Sequence, residues 1–473
     1  MKKTKIIATI SGLKCDTGFI RDLYEHGMNA VRLNTAHQSP EESLKIIENV
    51  RKVSEKIAII LDTKGPEIRT TICKSDILLN KGDIISMIGD PKKTSTCDCI
   101  YVTYDHFVDE IKIGTPVLID DGYVELRVIE KKDDHLICEA QNPGKIGSRK
   151  SVNVPKARFN LPSLNKKDKE FIRFAAEQEI DFIAHSFVRD KEDAQSLQNL
   201  LDKYNSDIKI IAKIENQEGV ENIDEILEHV YGIMVARGDL AIEIPYEKIP
   251  GIQNDLVEKC IIARKPVIIA TQMLQSMIDQ PRPTRAEVTD IAHAIFSKAD
   301  AIMLSGETAF GKYPRETVST MATVAEETEK SISDMQDTPF AVLSTEISAY
   351  LSMSAVEASV TLNAAAILAD TRTGQTIRNM AAFRGEKPIY AQCYDKRTMR
   401  KLALTYGVHP TYRKPEEYKK FMQQGLKDLV RNGILNIEER IVVLGGSLDG
   451  NFHDNQGATF IKISEIKNLI KDI

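Results

Sequence analysis

The sequence predicts an α/β protein: a (β/α)8 barrel, an antiparallel β lid domain inserted into it, and a C-terminal α/β domain. Three observations carry this expectation. Eight short, near-continuous apolar runs alternate with amphipathic segments between residues 4 and 307. Such runs mark strands buried on both faces, as in parallel sheets. From about residue 70 to 160 the pattern changes to alternating residues with Gly and Asp turns, which reads as a small antiparallel sheet. After the linker-like stretch SDMQDTPFAVLST (333–345), strand–helix alternation resumes.

The elements follow in order. TKIIATI (4–10) is the first strand, and the helical TGFIRDLYEHG after it stops at Gly27. NAVRLN (29–34) leads to SPEESLKIIENVRKVS, where Ser39, Pro40 and two glutamates form a helix start. IAIILDT (57–63) precedes the insert; a structureless loop of about 120 residues is implausible in a compact domain. FIAHSF (182–187), IKIIAKIE (208–215), YGIMVARG (231–238), PVIIAT (266–271) and AIMLSGE (301–307) complete the barrel. An insert after the third strand sits over the C-terminal mouth, where it can act as a lid. AAAILADT, PIYAQCYD, RIVVLGGS and FIKI supply the strands of the C-terminal domain. The expected division is barrel 1–65, lid 66–158, barrel 159–338 and C-terminal domain 339–473.

Composition excludes several classes. The chain has 473 residues, 42% hydrophobic and 28% charged, with a net charge of −6. That balance is ordinary for a soluble globular protein and argues against a nucleic-acid binder, which is usually basic. No run approaches the roughly 18 apolar residues of a membrane span. The start, MKKTKIIATISG, lacks the long apolar region of a secretory signal. Seven cysteines, odd in number and mostly isolated, read as free thiols in a reducing cytoplasm. Cys97 and Cys99 form one C-x-C, but nothing completes a zinc set.

The strand ends carry the chemistry. Active sites of such barrels lie at the C-terminal ends of the strands. Those ends deliver Arg32 and Asn34, Asp62 and Thr63, Ser186, Lys213 and Glu215, Arg237 to Asp239, Thr271 and Gln272, and Ser305 to Glu307. One such polar residue is commonly a cap; seven polar strand ends make a multivalent site. Lys213 and Glu215, in IIAKIENQEGV (210–220), are two apart in a strand and face the same way. Glu215 and Asp239 come from adjacent strands and suit one hard divalent ion. Arg32, Arg69, Lys213 and Arg237 are cations suited to phosphate or carboxylate. A metal, several cations and a closable lid point to phosphoryl transfer or enolate chemistry.

DTKGPEIRT (62–70), IIAKIENQEGV, IMVARGDLAIEIP (233–245), the long block from ATQMLQSM to SGETAFGKYP (270–314), and NAVRLNTAH resemble the pyruvate kinase family. The likeness covers barrel and lid and extends more loosely into the C-terminal domain. It implies a TIM barrel enzyme of glycolysis, ATP:pyruvate 2-O-phosphotransferase, converting phosphoenolpyruvate and ADP to pyruvate and ATP. It implies Mg2+ (or Mn2+) on Glu215 and Asp239, and Lys213 over the phosphoryl group and enolate oxygen. Arg32 is expected at the phosphoryl group, and the backbone of Gly238 and Asp239 at the substrate carboxylate. Thr271 is expected near the enolate face that is protonated, with the proton donor left open and a water chain as one route. Arg69, His37 and Lys150 are expected near the nucleotide phosphates, with Asp121 on the lid facing the site.

The resemblance also implies a K+ site on Asn34, Asp62 and the Thr63 carbonyl. The family's serine ligand is Ala36 here, and Thr35 is one residue out of register. Glu67 matches the potassium-dependent form. Monovalent-ion activation through a weakened or water-completed site is therefore expected. In the C-terminal domain, ADTRTGQTIRNMAAF places Thr371, Thr373, Gly374 and Thr376 at a helix start, a phosphate-favouring position. The resemblance makes this an effector site for a sugar phosphate. The later loop GGSLDGNFHDNQG (445–457) departs from that of many relatives, so the effector's identity stays open. A cytoplasmic homotetramer is implied. A lyase or aldolase of similar barrel type lacks the lid and C-terminal domain; a silent metabolite sensor is expected to lose Lys213, Glu215 or Asp239.

Overall fold

The computed structural model describes residues 2–155, 157–332, 347–446 and 458–470. The eight apolar runs form β1 (Lys5–Thr9), β2 (Ala30–Asn34), β3 (Ala58–Asp62), β4 (Phe182–His185), β5 (Lys209–Ile214), β6 (Gly232–Ala236), β7 (Val267–Ala270) and β8 (Ala301–Leu304). All neighbours are parallel, and β1 pairs with β8 to close the barrel. Registers such as Asn34 opposite Asp62 and Ala184 opposite Asp62 bring the polar ends of β2, β3 and β4 level with one another.

Alternation along each strand builds two cores. Ile7, Ile60, Phe182, Ile211, Met234 and Ile268 fill the barrel interior. Ile6, Ile59, Ile183, Ile210 and Val235 face outward against the helix layer. The helices start where the sequence marks them. Ser39 and Glu42 form a reciprocal capping box at Pro40–Val53, as do Asn165 and Asp168 at Lys166–Glu177.

The chain leaves the barrel after β3 and re-enters at the helix Lys166–Glu177. Between them lies a six-stranded sheet in the order Val152–Asn153, Pro116–Ile119, Val124–Lys131, Leu136–Ala140, Ile84–Gly89, Cys99–Val102. It is antiparallel except at one edge, where Ile84–Gly89 and Cys99–Val102 run parallel. Its core holds Met87, Val117, Leu126 and Cys138.

The C-terminal sheet has five strands, in the order Val408–Tyr412, Ile389–Cys393, Ala366–Thr371, Arg440–Gly445, Phe460–Glu465. The last is antiparallel to its neighbour. Val408–Tyr412 had no place among the four expected strands: VHPTY is a half-exposed edge with no apolar run to betray it. This domain docks on the N-terminal end of the barrel. Arg384 makes a two-armed ion pair with Asp300 (2.9 and 2.6 Å), and Arg400 Nε donates to Asp181 at 2.5 Å. Lys5 Nζ donates to the Val408 carbonyl at 2.6 Å. The linker 333–345, the boundary at 338/339 and nearly all of the loop 445–457 lie outside the described residues.

Candidate active site

The C-terminal mouth of the barrel gathers charge that apolar strands carry inward. Lys213, the fifth residue of β5, is buried, and its ammonium meets three acceptors. These are Glu215 Oε1 at 2.9 Å, Asp62 Oδ1 at 3.1 Å and Ser186 Oγ at 2.8 Å. Arg32 Nε donates to the other Asp62 oxygen at 2.6 Å, and its guanidinium reaches Thr9 Oγ1 at 3.2 Å. Burial alone disfavours every one of these charges. At Lys213 burial is outweighed by Asp62 and Glu215, which raise its pKa; at Asp62 it is outweighed by Arg32 and Lys213, which lower it.

Glu215 and Asp239 are different. Burial pushes both carboxyls above their ordinary range, and Lys213 only partly opposes it. At Glu215 the Asp239 charge adds to the rise; at Asp239 the charges of Asp121 and Glu67 do. The two carboxyls lie close enough to act on each other, and Lys213 balances their charge only in part, so the pair leaves room for a further cation. Among the described residues no group of three or more His, Cys, Asp or Glu could hold a metal. Two carboxylates suit Mg2+ or Mn2+, which complete their shells with water and substrate oxygens.

Backbone geometry aims this pair. Phe187 takes a left-handed φ of 55°, which turns its N–H onto Glu215 Oε2 at 2.7 Å. Asp239 lies not on a strand but in the first turn of the short helix Arg237–Glu243. Thr271 and Gln272 also have positive φ (73° and 56°), an uncommon strain for non-glycine residues. It places the Thr271 hydroxyl under Gly238, whose N–H donates to it at 2.8 Å.

One expected cation is spent elsewhere. Arg237 makes a two-armed ion pair with Asp290 (2.6 and 2.8 Å) and donates to the Thr271 carbonyl at 2.8 Å. It braces the turn that holds Thr271 rather than facing a substrate anion. Asp290 lies in the helix Arg285–Phe296, too far along the chain for spacing to reveal the pair.

The other expected residues lie as follows. Asn34 Oδ1 accepts the Ala36 N–H at 3.1 Å, and the Thr63 carbonyl accepts the Ser186 hydroxyl at 2.7 Å. Thr35 turns away and donates to the Asp62 carbonyl at 2.8 Å. His37 is exposed on the rim. Arg69 pairs with Glu67 at 2.7 Å, and on the lid Lys150 pairs with Asp120 at 2.9 Å. Asp121 is close enough for its charge to act on both Asp239 and Arg69. Lys167 reaches the Ala36 carbonyl at 3.4 Å; in the run NKKDKE nothing singled it out from its neighbours.

Thr371, Thr373, Gly374 and Thr376 lie apart, in the C-terminal domain. Gly374 (φ 83°) precedes the helix Gln375–Ala382, and Thr371 Oγ1 accepts its N–H at 2.8 Å. Thr373 Oγ1 accepts the Gln375 N–H at 3.4 Å, and Thr376 is buried.

Comparison with known proteins bears on this geometry. The family description "Pyruvate kinase, barrel domain" matches residues 1–318, and "Pyruvate kinase, alpha/beta domain" matches residues 350–458. The chain belongs to the pyruvate kinase family. Its members are phosphotransferases. A pyruvate kinase of Borreliella burgdorferi is 44% identical over 99% of this chain and 98% of its own. One from Bacillus licheniformis is 41% identical over 95% of this chain and 78% of its own. One from Staphylococcus epidermidis is 42% identical over 87% and 72% respectively. The pyruvate kinase barrel match covers every strand end described above.

Proposed function

We infer that this chain transfers the phosphoryl group of phosphoenolpyruvate to ADP, giving pyruvate and ATP, as the last step of glycolysis. The observation that carries this is the Lys213 ammonium held among Asp62, Glu215 and Ser186, beside the Glu215–Asp239 pair. Lys213 and Arg32 are cations set where charge develops on a phosphoryl group and an enolate oxygen, the differential stabilisation that lowers a barrier. The substrate carboxylate is received at the backbone of Gly238 and Asp239. Thr271 faces the enolate carbon that takes the final proton. A divalent ion on Glu215 and Asp239 supplies Lewis-acid polarisation of substrate oxygens.

Arg69, His37 and Lys150 bind the nucleotide phosphates, with the insert 66–158 as a lid that closes over them and brings Asp121 to the site. Asn34, Asp62 and the Thr63 carbonyl hold K+, completed by water because Ala36 offers no side-chain oxygen. Thr371, Thr373, Gly374 and Thr376 take a phosphate of an effector such as a sugar phosphate. A homotetramer is supported by the helix Ile347–Thr361, which leaves Ile347 and Tyr350 exposed, and by the strand Phe460–Glu465 at its sheet's edge. Among the described residues no helix is long and apolar enough to cross a membrane, and the seven cysteines are free. Both accord with a cytoplasmic enzyme. The test is pyruvate formation from phosphoenolpyruvate and ADP, with and without Mg2+, K+ and sugar phosphates. No pyruvate from the wild-type chain under any of these conditions would overturn the reading.

A further inference from the structure

Ser186 follows β4 directly and is buried. A hydroxyl has one proton to give and lone pairs to receive. Here the proton has two acceptors in reach, the Thr63 carbonyl at 2.7 Å and Asp62 Oδ1 at 3.3 Å, and the shorter contact favours Thr63; Lys213 Nζ donates to the Ser186 hydroxyl oxygen at 2.8 Å. The Ser186 N–H is fixed too, on Thr63 Oγ1 at 3.0 Å. The turn is clamped from the other side. A Cβ on Gly65 (φ 73°) would lie 2.8 Å from both Ser186 Cβ and the Phe187 ring. Gly65 is held in place by Asp168, which accepts its N–H at 3.2 Å, and by Asn165, which donates to its carbonyl at 3.0 Å.

An ammonium has three protons, and those of Lys213 are matched by three acceptors. Two are carboxylates, which orient the ammonium but also cancel its charge. Ser186 orients it without cancelling any. When Glu215 is engaged by a divalent ion, Asp62 and Ser186 are left to aim the ammonium, and Ser186 alone does so from a neutral oxygen. The same hydroxyl fixes the direction of the Thr63 carbonyl.

We propose that Ser186 is a positioning residue that ties the Thr63 carbonyl to the Lys213 ammonium, so that monovalent-ion binding and phosphoryl transfer act through one hydroxyl. This rests on the function inferred above. The test compares wild type with Ser186→Ala, Ser186→Cys and Ser186→Thr. The alanine and cysteine variants are expected to lose about ten- to a hundredfold in kcat, the range for one oriented hydrogen bond to a charged group. KM for phosphoenolpyruvate is expected to stay within about threefold, because Arg32 and the Gly238 backbone are untouched. The K+ concentration for half-activation is expected to rise several-fold. Ser186→Thr, which keeps the hydroxyl, restores most of both losses.

A purely structural role lowers the melting temperature but leaves the K+ requirement unchanged, and that outcome overturns the proposal. Crystal structures supply a readout independent of turnover. Lys213 Nζ is expected to shift away from Thr63 in the alanine variant, and an unmoved ammonium overturns the proposal. Wild-type protein that forms no pyruvate breaks the inferred function instead, while the crystallographic comparison still decides the role of Ser186.

Discussion

At the N-terminal end of the barrel, Asp300 and Asp181 are buried carboxylates with every oxygen occupied. Asp300 accepts both arms of Arg384 and the N–H groups of Val267 and Tyr406. Asp181 accepts from Arg400, Arg51 and the Ile59 N–H. At the C-terminal end, Asp62 is matched in the same way by Arg32 and Lys213, but Glu215 and Asp239 are pushed together with Lys213 as their shared cation. Both ends bury charge. Only one leaves carboxylates whose charge the chain does not itself balance. Burial of a charge thus marks structure as readily as chemistry, and the unbalanced pair marks the site.

The sharpest way to break this comparison is to remove one cation at each end. Lys213→Met is expected to lower kcat by about a thousandfold or more, on the order of 4 kcal/mol of transition-state stabilisation. The fold should survive, since Arg32 still pairs with Asp62 and burial already favours the neutral form of Glu215. A coupled assay of pyruvate formation reads the loss, and a rate within tenfold of wild type contradicts the role given to Lys213. Arg384→Met at the other end leaves Asp300 buried with backbone donors alone. Its expected cost is about 3–5 kcal/mol of stability, measured by denaturant unfolding, with kcat of the folded enzyme nearly unchanged. A large loss of kcat without loss of stability would mean that the two ends are not divided as described.

Much of this contrast was legible in the sequence, and the part that was not has a physical cause. The eight barrel strands are visible because burial on both faces demands unbroken apolar runs, so Lys213 and Asp62 stand out against them. Lys213 and Glu215 share a face because strands alternate. Arg237 reads like Lys213, as a cation at a strand end, yet it is spent on Asp290, a pairing that only the fold creates. Ser186 reads as one small polar residue among many; its weight comes from Thr63 and Lys213 converging on it. At the edge of the C-terminal sheet, Val408–Tyr412 needs no apolar run and so gave no signal. The deep partners of Asp181 and Asp300 are likewise set by domain docking, not by local pattern.

A third test sharpens the comparison through pH. His185, beside Ser186, is fully buried; its Nε2 lies 3.4 Å from the Ser163 carbonyl, and its Nδ1 has no hydrogen-bond partner among the described residues. Burial holds its pKa down, from 6.5 to about 4, with the Ser163 carbonyl opposing. The folded state therefore binds fewer protons than the unfolded one in this window. The contribution is fully present above 6.5 and is lost as pH falls through about 4. The total is about 3 kcal/mol, from the conversion of roughly 1.4 kcal/mol per pKa unit. Thermal melts across that window should show His185→Ala, though less stable at neutral pH, losing less stability on acidification than wild type. Equal slopes would place the acid sensitivity elsewhere.

The smallest expected effect bears on how unbalanced the active end really is. Around the proposed K+ site, Asn34 Oδ1 already accepts the Ala36 N–H, and the Thr63 carbonyl accepts Ser186. Ala36 contributes no side-chain oxygen, and the hydroxyl of Thr35 is committed to the Asp62 carbonyl. A serine at position 36 adds one neutral oxygen without altering any charge. Ala36→Ser is therefore expected to lower the half-activating K+ concentration by about fivefold, about 1 kcal/mol, the net size of one polar contact. Turnover at saturating K+ should hardly change, because Lys213, Glu215 and Asp239 keep their partners. If the serine raises turnover at saturation but leaves the K+ requirement alone, residue 36 acts on Lys213 and not on the ion. The monovalent site would then lie away from Asn34, and the balance of charge at this end would have to be drawn without it.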